Sequence, residues 1–240
     1  MARKGANRKQ KRLSASRALF AMRKTSKWII STKPGAHPKG NAVPLGFALR
    51  ELLNYAGNAK EMKMLLNSGK VLVDGKIRKG RNMPLGIFDV VELPEIEKRY
   101  RVLFDSKGRI TLKEIPAKGK LQKLCTVVGK HATKGNKMQI ATNDGRSIAA
   151  SGTEGISVHD SLLIDLPSQK IAAKFRMEKN SLVYIISGKH VNEHARILDV
   201  GESTMKRPKL VMLENGNGDK FSTLAENVFV IGAEKPAIEM

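Results

Sequence analysis

The stretch KVLVDGKIR, residues 70–78, predicts a tight β-hairpin. Its valine and leucine residues favour strands, and Asp74-Gly75 readily adopts the left-handed backbone conformations of a two-residue hairpin turn. A further strand is predicted from Phe88 to Leu93, after the turn residues Pro84 and Gly86. Residues 43–94 are therefore expected to form one small module built around this hairpin.

Two helices are predicted to precede the hairpin. Apolar residues recur at helical spacing from Pro44 to Tyr55, which predicts an amphipathic helix. Asn58 followed by Glu61 resembles a capping box, so a second helix should begin there and end at Gly69. Two helices, a hairpin and a returning strand together resemble the S4 RNA-binding domain of ribosomal proteins, pseudouridine synthases and tyrosyl-tRNA synthetases.

The resemblance to the S4 domain implies an RNA-binding face at the start of the second helix and on the strand that follows it. The candidate residues are Arg50, Lys60, Lys63, Lys70, Lys76, Arg78, Lys79 and Arg81. Basic residues on the polar face of a helix can also serve only to keep that face solvated. For each of these residues both interpretations stay open.

The segment before the module, residues 1–42, is a basic arm. The first acidic residue of the 240-residue chain is Glu51, and thirteen Lys and Arg precede it. Such a segment repels itself and is suited to a dense polyanion. It has too few apolar residues for a core of its own, so it should order only on a surface. Its candidate RNA-binding residues are Arg3, Lys4, Arg8, Lys9, Lys11, Arg12, Arg17, Arg23, Lys24, Lys27, Trp28, Lys33, His37 and Lys39.

Trp28 is the only tryptophan of the chain, and two roles are open for it. Its ring could stack on a nucleobase, as aromatic side chains do in many RNA complexes. Alternatively, it could anchor the arm against the module.

The net charge of +22 is distributed unevenly along the chain. Residues 51–150 carry 20 basic and 10 acidic side chains, whereas the last ninety carry 11 and 12. A polyanionic partner, with nucleic acid as the favoured class, should therefore contact mainly the first part of the molecule. No apolar run approaches the roughly 18 residues of a membrane span, and the single cysteine, Cys125, excludes an internal disulfide or multi-cysteine metal site.

The remainder of the chain is predicted to form short strands separated by turn residues. Residues 95–175 are predicted to form a central β-rich domain, with hairpins over residues 100–113 and 138–149. Five strands, over residues 182–187, 195–200, 209–213, 220–223 and 228–231, predict an SH3-like barrel in residues 176–240. The expected fold is thus a multidomain α+β protein: arm 1–42, module 43–94, central domain 95–175 and barrel 176–240.

The loop before the second strand of this barrel contains His190, Glu193 and His194 in the order H-x-x-E-H. In inverted zinc peptidases this pattern lies on a helix, which places both histidines on one face. Here it follows Gly188 directly and lies between predicted strands, with no room for a helix. A KOW-type loop without a metal ion is the better interpretation, and no cofactor is expected anywhere in the chain.

Motifs along nearly the whole chain are similar to the S4e family of archaeal and eukaryotic small-ribosomal-subunit proteins. They include GANRKQKRL, KPGAHPKGNAVPL, LRELLNYA, KVLVDGKIR, YRVLFDSKGR, KLCTVVGK, VHDSLLIDLPSQKI, SGKHVNEHARI and FSTLAENVFVIG. The lack of a basic extension after the last motif favours the archaeal type. The resemblance implies a non-enzymatic, structural, cytoplasmic protein of the ribosome that binds small-subunit rRNA and neighbouring ribosomal proteins, without a membrane or a small-molecule substrate.

Two other functions remain as alternatives to that structural role. One is a KOW-containing translation or transcription factor that binds RNA transiently. The other is an RNA-modifying enzyme that uses the S4 module for targeting, although no catalytic pocket or cofactor loop is recognisable in the sequence.

The KOW loop departs from the pattern of the family it resembles. Asn192 and Ala195 stand where glycine is usual, and Glu193 stands where a basic residue is common. Asparagine adopts the left-handed conformation at modest cost, whereas alanine does not. Together with the charge of −1 in the last ninety residues, this loop leads us to expect little RNA contact by the C-terminal barrel.

Overall fold

The computed structural model describes residues 9–116, 119–133, 137–150, 155–204 and 208–239. Within these ranges the protein is mostly β-sheet, with three five-stranded sheets and two short strand pairs. The helical part of the predicted α+β fold is therefore smaller than the sequence suggested. None of the helices in the described ranges is long and apolar enough to cross a membrane.

The described part of the basic arm, residues 9–42, lies on the module that follows it. Its strand β1 (Gln10–Lys11) pairs antiparallel with β2 (Trp28–Ile29). Leu19 and Ile29 are buried in the same hydrophobic cluster as the helices of the module. The arm thus orders on a surface of its own chain, because these two side chains complete a core that the arm cannot form alone.

The first helical segment of the module is short and enclosed. Strand β3 (Val43–Pro44) leads into α1 (Leu45–Phe47), which continues as the π-helical turn Ala48–Leu52. The segment ends before the predicted Tyr55, and every residue from Leu45 to Leu49 is buried. It is therefore a core helix rather than an amphipathic one, and a Cβ at Gly46 would lie 2.5 Å from the sulfur of Met62.

Helix α2 (Ala59–Asn67) begins at the predicted cap. The side chain of Asn58 accepts hydrogen bonds from the backbone N–H groups of Lys60 at 2.9 Å and Glu61 at 3.0 Å. The Glu61 carboxylate accepts in turn from the N–H of Gly57 at 2.8 Å. The predicted start of this helix is confirmed, because its free N–H groups are satisfied by the residues that the capping pattern indicated.

The predicted hairpin consists of β4 (Leu72–Val73) and β5 (Lys76–Ile77). Asp74 and Gly75 form its turn with φ of 53° and 72°, the left-handed values that this turn requires. Strand β6 (Pro84–Leu85) then pairs with β3, and β7 (Val90–Leu93) pairs with β4.

The sheet of the module continues past residue 94. Strands β8 (Lys98–Phe104) and β9 (Ile110–Ile115) extend it in the order β5-β4-β7-β8-β9. The first hairpin expected in the central domain therefore belongs, by its hydrogen bonds, to the sheet that the KVLVDGKIR hairpin starts. The local turn signal predicted this hairpin but could not indicate its neighbour.

Two further antiparallel sheets complete the described structure. The central sheet has the order β12-β11-β10-β13-β14 and consists of β10 (Gln122–Thr133), β11 (Lys137–Thr142), β12 (Ser147–Ala150), β13 (Ser161–Asp165) and β14 (Lys170–Phe175). The C-terminal sheet has the order β18-β17-β16-β15-β19 and consists of β15 (Leu182–Ile185), β16 (His194–Val200), β17 (Leu210–Asn215), β18 (Lys220–Leu224) and β19 (Val228–Gly232). All five strands predicted in this last part are present.

Aromatic side chains join the C-terminal sheet to the module. The ring centroid of Phe88 lies 5.7 Å from that of Tyr184 and 5.3 Å from that of Phe229. The Tyr184 hydroxyl donates to Asn192 Oδ1 at 3.1 Å. Asn192 has a φ of 69°, as expected where glycine is usual, whereas Ala195 lies buried in β16 without a positive φ. Alanine is therefore accommodated there without strain.

Replacing Asn58 with alanine should lower the free energy of unfolding by about 1 kcal/mol, because two N–H groups of α2 lose their acceptor. Asn58→Asp should retain most of the stability, since aspartate is an equally good cap. Asn67→Ala, at the other end of the same helix, is the matched control and should be close to neutral. Urea unfolding measures all three, and equal losses in Asn58→Ala and Asn67→Ala would contradict the capping role.

Candidate nucleic-acid interface

Arg12 lies beneath the arm rather than on its surface. Its side chain is 4% exposed, and its two terminal nitrogens donate to the carboxylate of Glu51 at 2.9 and 2.7 Å. Partial burial would raise the pKa of Glu51, but hydrogen bonds from Arg12 and Arg50 lower it overall. Arg12, which the sequence predicted to bind RNA, therefore fixes the arm to the module through a two-pronged ion pair and is withdrawn from the surface.

His37 is buried as well, where the arm meets the module. Its Nε2 lies 3.1 Å from Oδ1 of Asp89, and its ring packs against Gly86. A Cβ at Gly86 would overlap that ring, so only glycine fits at this position. The side chain of His37, which the sequence predicted to contact RNA, is thus buried and engaged by Asp89 inside the protein.

Lys123 is the centre of a buried ionic network that joins the module sheet to the central sheet. Its side chain lies on β10 and is 2% exposed, and its ammonium contacts the carboxylates of Asp74 at 2.9 Å and Asp144 at 3.0 Å, together with that of Asp89. Arg146 pairs with Asp74 at 2.6 Å and with Asp144 at 2.7 Å. Two cations thus lie among three carboxylates drawn from both sheets.

The three carboxylates differ in the direction of their pKa shifts because their surroundings differ. Burial raises the pKa of Asp74 and repulsion from Asp89 adds to this effect, whereas Lys123 lowers it without reversing the shift. Burial alone would also raise the pKa of Asp89, but Lys123 and His37 hold it well below its usual range. For Asp144, attraction to Lys123 and a hydrogen bond from Thr142 outweigh burial and lower the pKa to about 2.

The network also supports the exposed side of the hairpin. Lys76 and Arg78 line a small cavity of about 200 Å³ together with Lys123 and Arg146. Because Asp74 forms the hairpin turn and is held by both buried cations, the hairpin is fixed to the central sheet. The basic side chains on its outer face are therefore presented by a rigid support.

Most of the predicted RNA-binding residues lie on the surface. The exposed ones are Lys9, Lys11, Arg17, Arg23, Lys24, Lys27, Trp28, Lys33, Lys39, Lys60, Lys63, Lys70, Lys76, Arg78, Lys79 and Arg81. Arg50 is half-buried beside Glu51, and Lys70 pairs with Glu95 at 2.6 Å on the surface. Arg3, Lys4 and Arg8 lie outside the described residues.

Four of these residues are brought together although they are distant in sequence. Lys9, Trp28, Arg50 and Arg81 line a groove of about 380 Å³ where the β1–β2 pair meets the segment before β6. The groove combines one aromatic ring with three cationic side chains.

Sequence reasoning missed the ionic network. The sequence indicates Asp74 and Asp144 only as turn residues, and Lys123 only as part of an apolar strand. The available sequence signal was a lysine directly before the apolar residues Leu124 and Cys125. Both of these residues are fully buried in the structure. Cys125 is a free, buried thiol, and burial raises its pKa well above the usual value.

The H-x-x-E-H residues do not form a metal centre. His190 lies 3.1 Å from Glu193 and stacks on Phe221 with a centroid distance of 4.1 Å. His194 begins β16 instead and lies edge-on to Tyr184. In the part of the chain that the structure describes, no group of three or more His, Cys, Asp or Glu side chains could hold a metal ion.

Comparison with known proteins agrees with the motifs. A model of the ribosomal family S4e matches residues 96–171. The small ribosomal subunit protein eS4 of Methanocaldococcus jannaschii is 41% identical over 247 residues, and the match covers 100% of each chain. The chain belongs to the S4e family of ribosomal proteins.

Two further members of the S4e family extend this similarity. The small ribosomal subunit protein eS4 of Methanosphaera stadtmanae is 37% identical over 240 residues, which cover 100% of this chain and 98% of the relative. The crystal structure of the 30S ribosomal protein S4e from Thermoplasma acidophilum superposes with a TM-score of 0.67 at 29% identity, over 80% of this chain and 96% of that one. The family resemblance seen in the motifs is confirmed.

Replacing Lys123 with methionine should lower the free energy of unfolding by about 3–5 kcal/mol near pH 7, because three buried carboxylates lose their shared cation. The dependence of the free energy of unfolding on pH should also change sign on the acid side. In the wild type, Asp89 and Asp144 have lowered folded-state pKa values, so their contribution is present above about pH 4 and is lost as the pH falls through those values. In the variant, the carboxylate pKa values should rise, so stability should increase as the pH falls toward about 4.

Lys120→Met is the matched control, because Lys120 is exposed. It should leave both the stability and the acid branch of the pH profile as in the wild type. Urea unfolding at several pH values measures both effects. A Lys123→Met protein with the wild-type acid branch would show that the network does not set the carboxylate pKa values.

Proposed function

We propose that this protein is a structural constituent of the small ribosomal subunit, located in the cytoplasm, that binds folded rRNA and stabilises it. Membership of the S4e family supports the ribosomal role. The observation that carries the RNA contact is the distribution of exposed cations over the arm and the module, as opposed to the net charge of −1 in the last ninety residues.

The exposed Lys and Arg side chains suit phosphate rather than base recognition. A lysine ammonium neutralises phosphate as a point charge, whereas an arginine guanidinium can fork onto two phosphate oxygens. Phosphate and ribose contacts position a protein on RNA without reading its sequence. The proposed mechanism is therefore recognition of RNA shape, in which cations screen the repulsion between closely packed backbones.

The internal ion pairs of the arm support this mechanism. Because Arg12 binds Glu51 and His37 binds Asp89, the described part of the arm is already held against the module. A preformed surface loses less conformational entropy on binding than a segment that folds at that moment. The arm and the module would then act as one basic face rather than as a tail and a separate domain.

The C-terminal sheet is proposed to contact neighbouring ribosomal proteins or solvent rather than RNA. Leu210 and Met212 on β17 are 47% and 48% exposed. Exposed apolar side chains without an excess of positive charge are more typical of protein contacts than of phosphate contacts.

Sedimentation of a cell lysate tests the proposed function directly. The protein should co-migrate with the small subunit at one copy per particle and should survive a salt wash. Recovery only in light fractions would overturn the structural role. Release in moderate salt with an intact particle would instead favour the alternative of a KOW-containing translation or transcription factor.

Binding of the purified protein to small-subunit rRNA should weaken steeply with salt, with a log–log slope well above about 2, because many phosphate contacts release counterions. Lys60→Gln/Lys63→Gln should reduce that slope by about 0.9 for each phosphate that the variant no longer neutralises. Lys189→Gln/Lys220→Gln removes the same charge from exposed positions of the C-terminal region and should leave the slope unchanged. Equal effects of the two double variants would indicate that net charge, rather than a defined face, drives binding.

A further inference from the structure

The exposure of Trp28 separates the two roles that the sequence left open. In β2, Ile29 is 7% exposed and packs into the core, whereas Trp28 is 48% exposed. Successive side chains of a strand point to opposite sides, so Ile29 anchors the arm and Trp28 faces outward. A large aromatic ring that is not needed as the anchor is free to contact a partner.

The groove beside Trp28 is cationic. The ammonium of Lys27 lies 5.5 Å from the ring centroid of Trp28. Among the residues that the structure describes, no carboxylate lies within ion-pair distance of Lys9 or Arg81, and the carboxylate of Glu51 is already shared by Arg12 and Arg50. An anionic group that enters the groove would therefore meet positive charge without competition from an unpaired acid.

The walls of the groove are tied together. Asn82 donates from its side chain to the carbonyl of Ser31 at 2.5 Å, and its own carbonyl accepts from the N–H of Lys33 at 2.8 Å. The carbonyl of Arg81 accepts from the N–H of Gly46 at 2.8 Å. These bonds connect the arm, the segment before β6 and helix α1, so the groove is preformed.

The size and chemistry of the groove select its occupant. A volume of about 380 Å³ is at the small end of the range for ligand sites and suits one nucleotide rather than a helix. A nucleobase can stack on an aromatic ring only when it is unpaired and splayed out of its helix. An exposed ring beside three cations matches a base together with its own phosphate.

We propose that this groove binds one unpaired nucleotide of RNA, with its base stacked on Trp28 and its phosphate held by Lys9, Arg50 and Arg81. This inference rests on the proposed RNA-binding function and adds a specific contact to it. The basic face would then hold one extruded nucleotide in addition to its contacts with the phosphate backbone. Stacking on Trp28 tolerates any base, so the site recognises the unpaired state rather than the sequence.

Fluorescence of the intact protein tests this contact, because Trp28 is the only tryptophan. A single-stranded oligoadenylate should quench the Trp28 emission on binding. An abasic strand of the same length should bind through its phosphates, as measured by anisotropy of a labelled strand, but should not quench. An RNA duplex of the same length should likewise bind without quenching.

Variants separate stacking from charge. Trp28→Leu should weaken oligoadenylate binding roughly tenfold and leave binding of the abasic strand unchanged. Phe20→Leu is the matched control, since Phe20 is an exposed aromatic residue of the same arm, and it should change neither affinity. Arg81→Gln should weaken the binding of both strands and reduce the salt slope.

The outcomes distinguish this inference from the proposed function. Equal quenching by oligoadenylate and the abasic strand, or unchanged oligoadenylate affinity in Trp28→Leu, would overturn the stacking site while RNA binding itself stood. Failure of the wild-type protein to bind either strand or rRNA would overturn both.

Discussion

The buried ammonium of Lys123 is the interaction on which the arrangement of the sheets depends. It draws carboxylates from the hairpin turn and the residue before β7 in one sheet and from the β11–β12 turn in the other. Removing such charges from water costs several kcal/mol for each ion, and that cost is offset only when every partner is in place. The two sheets therefore fit together in one relative position, because a small shift would leave buried charges without partners.

The same network extends to the arm. Asp89 contacts both Lys123 and His37, so the carboxylate that joins the two sheets also fixes the end of the basic segment. At this carboxylate the attraction of Lys123 and the hydrogen bonds from His37 and Lys123 outweigh the effect of burial and keep it ionised. The surface cations above the network are thus supported by an interior whose charges compensate one another.

Local signals in the sequence predicted the local structure well. The Asp74-Gly75 turn, the cap at Asn58 and the five strands of the C-terminal sheet depend on neighbouring residues and were found where expected. What could not be predicted depends on distant partners. The addition of β8 and β9 to the module sheet is decided by hydrogen bonds between strands, and burial of Arg12 and His37 is decided by acids 39 and 52 residues away. Arg12 and His37 were predicted to be surface residues that bind RNA, because the composition of the arm carries no information on pairing with distant acids.

The positions of these acids along the chain imply an order for docking of the arm during synthesis. Chains are made from the N-terminus, so the arm emerges before the carboxylates with which it pairs. Arg12 can be withdrawn from solvent only after Glu51 has been made, and His37 only after Asp89. Asp144 and Arg146, which complete the ionic network around Lys123, are made later still. The arm consequently exposes most positive charge early in synthesis. Folding of the later residues then progressively reduces the charge that is accessible to a polyanion.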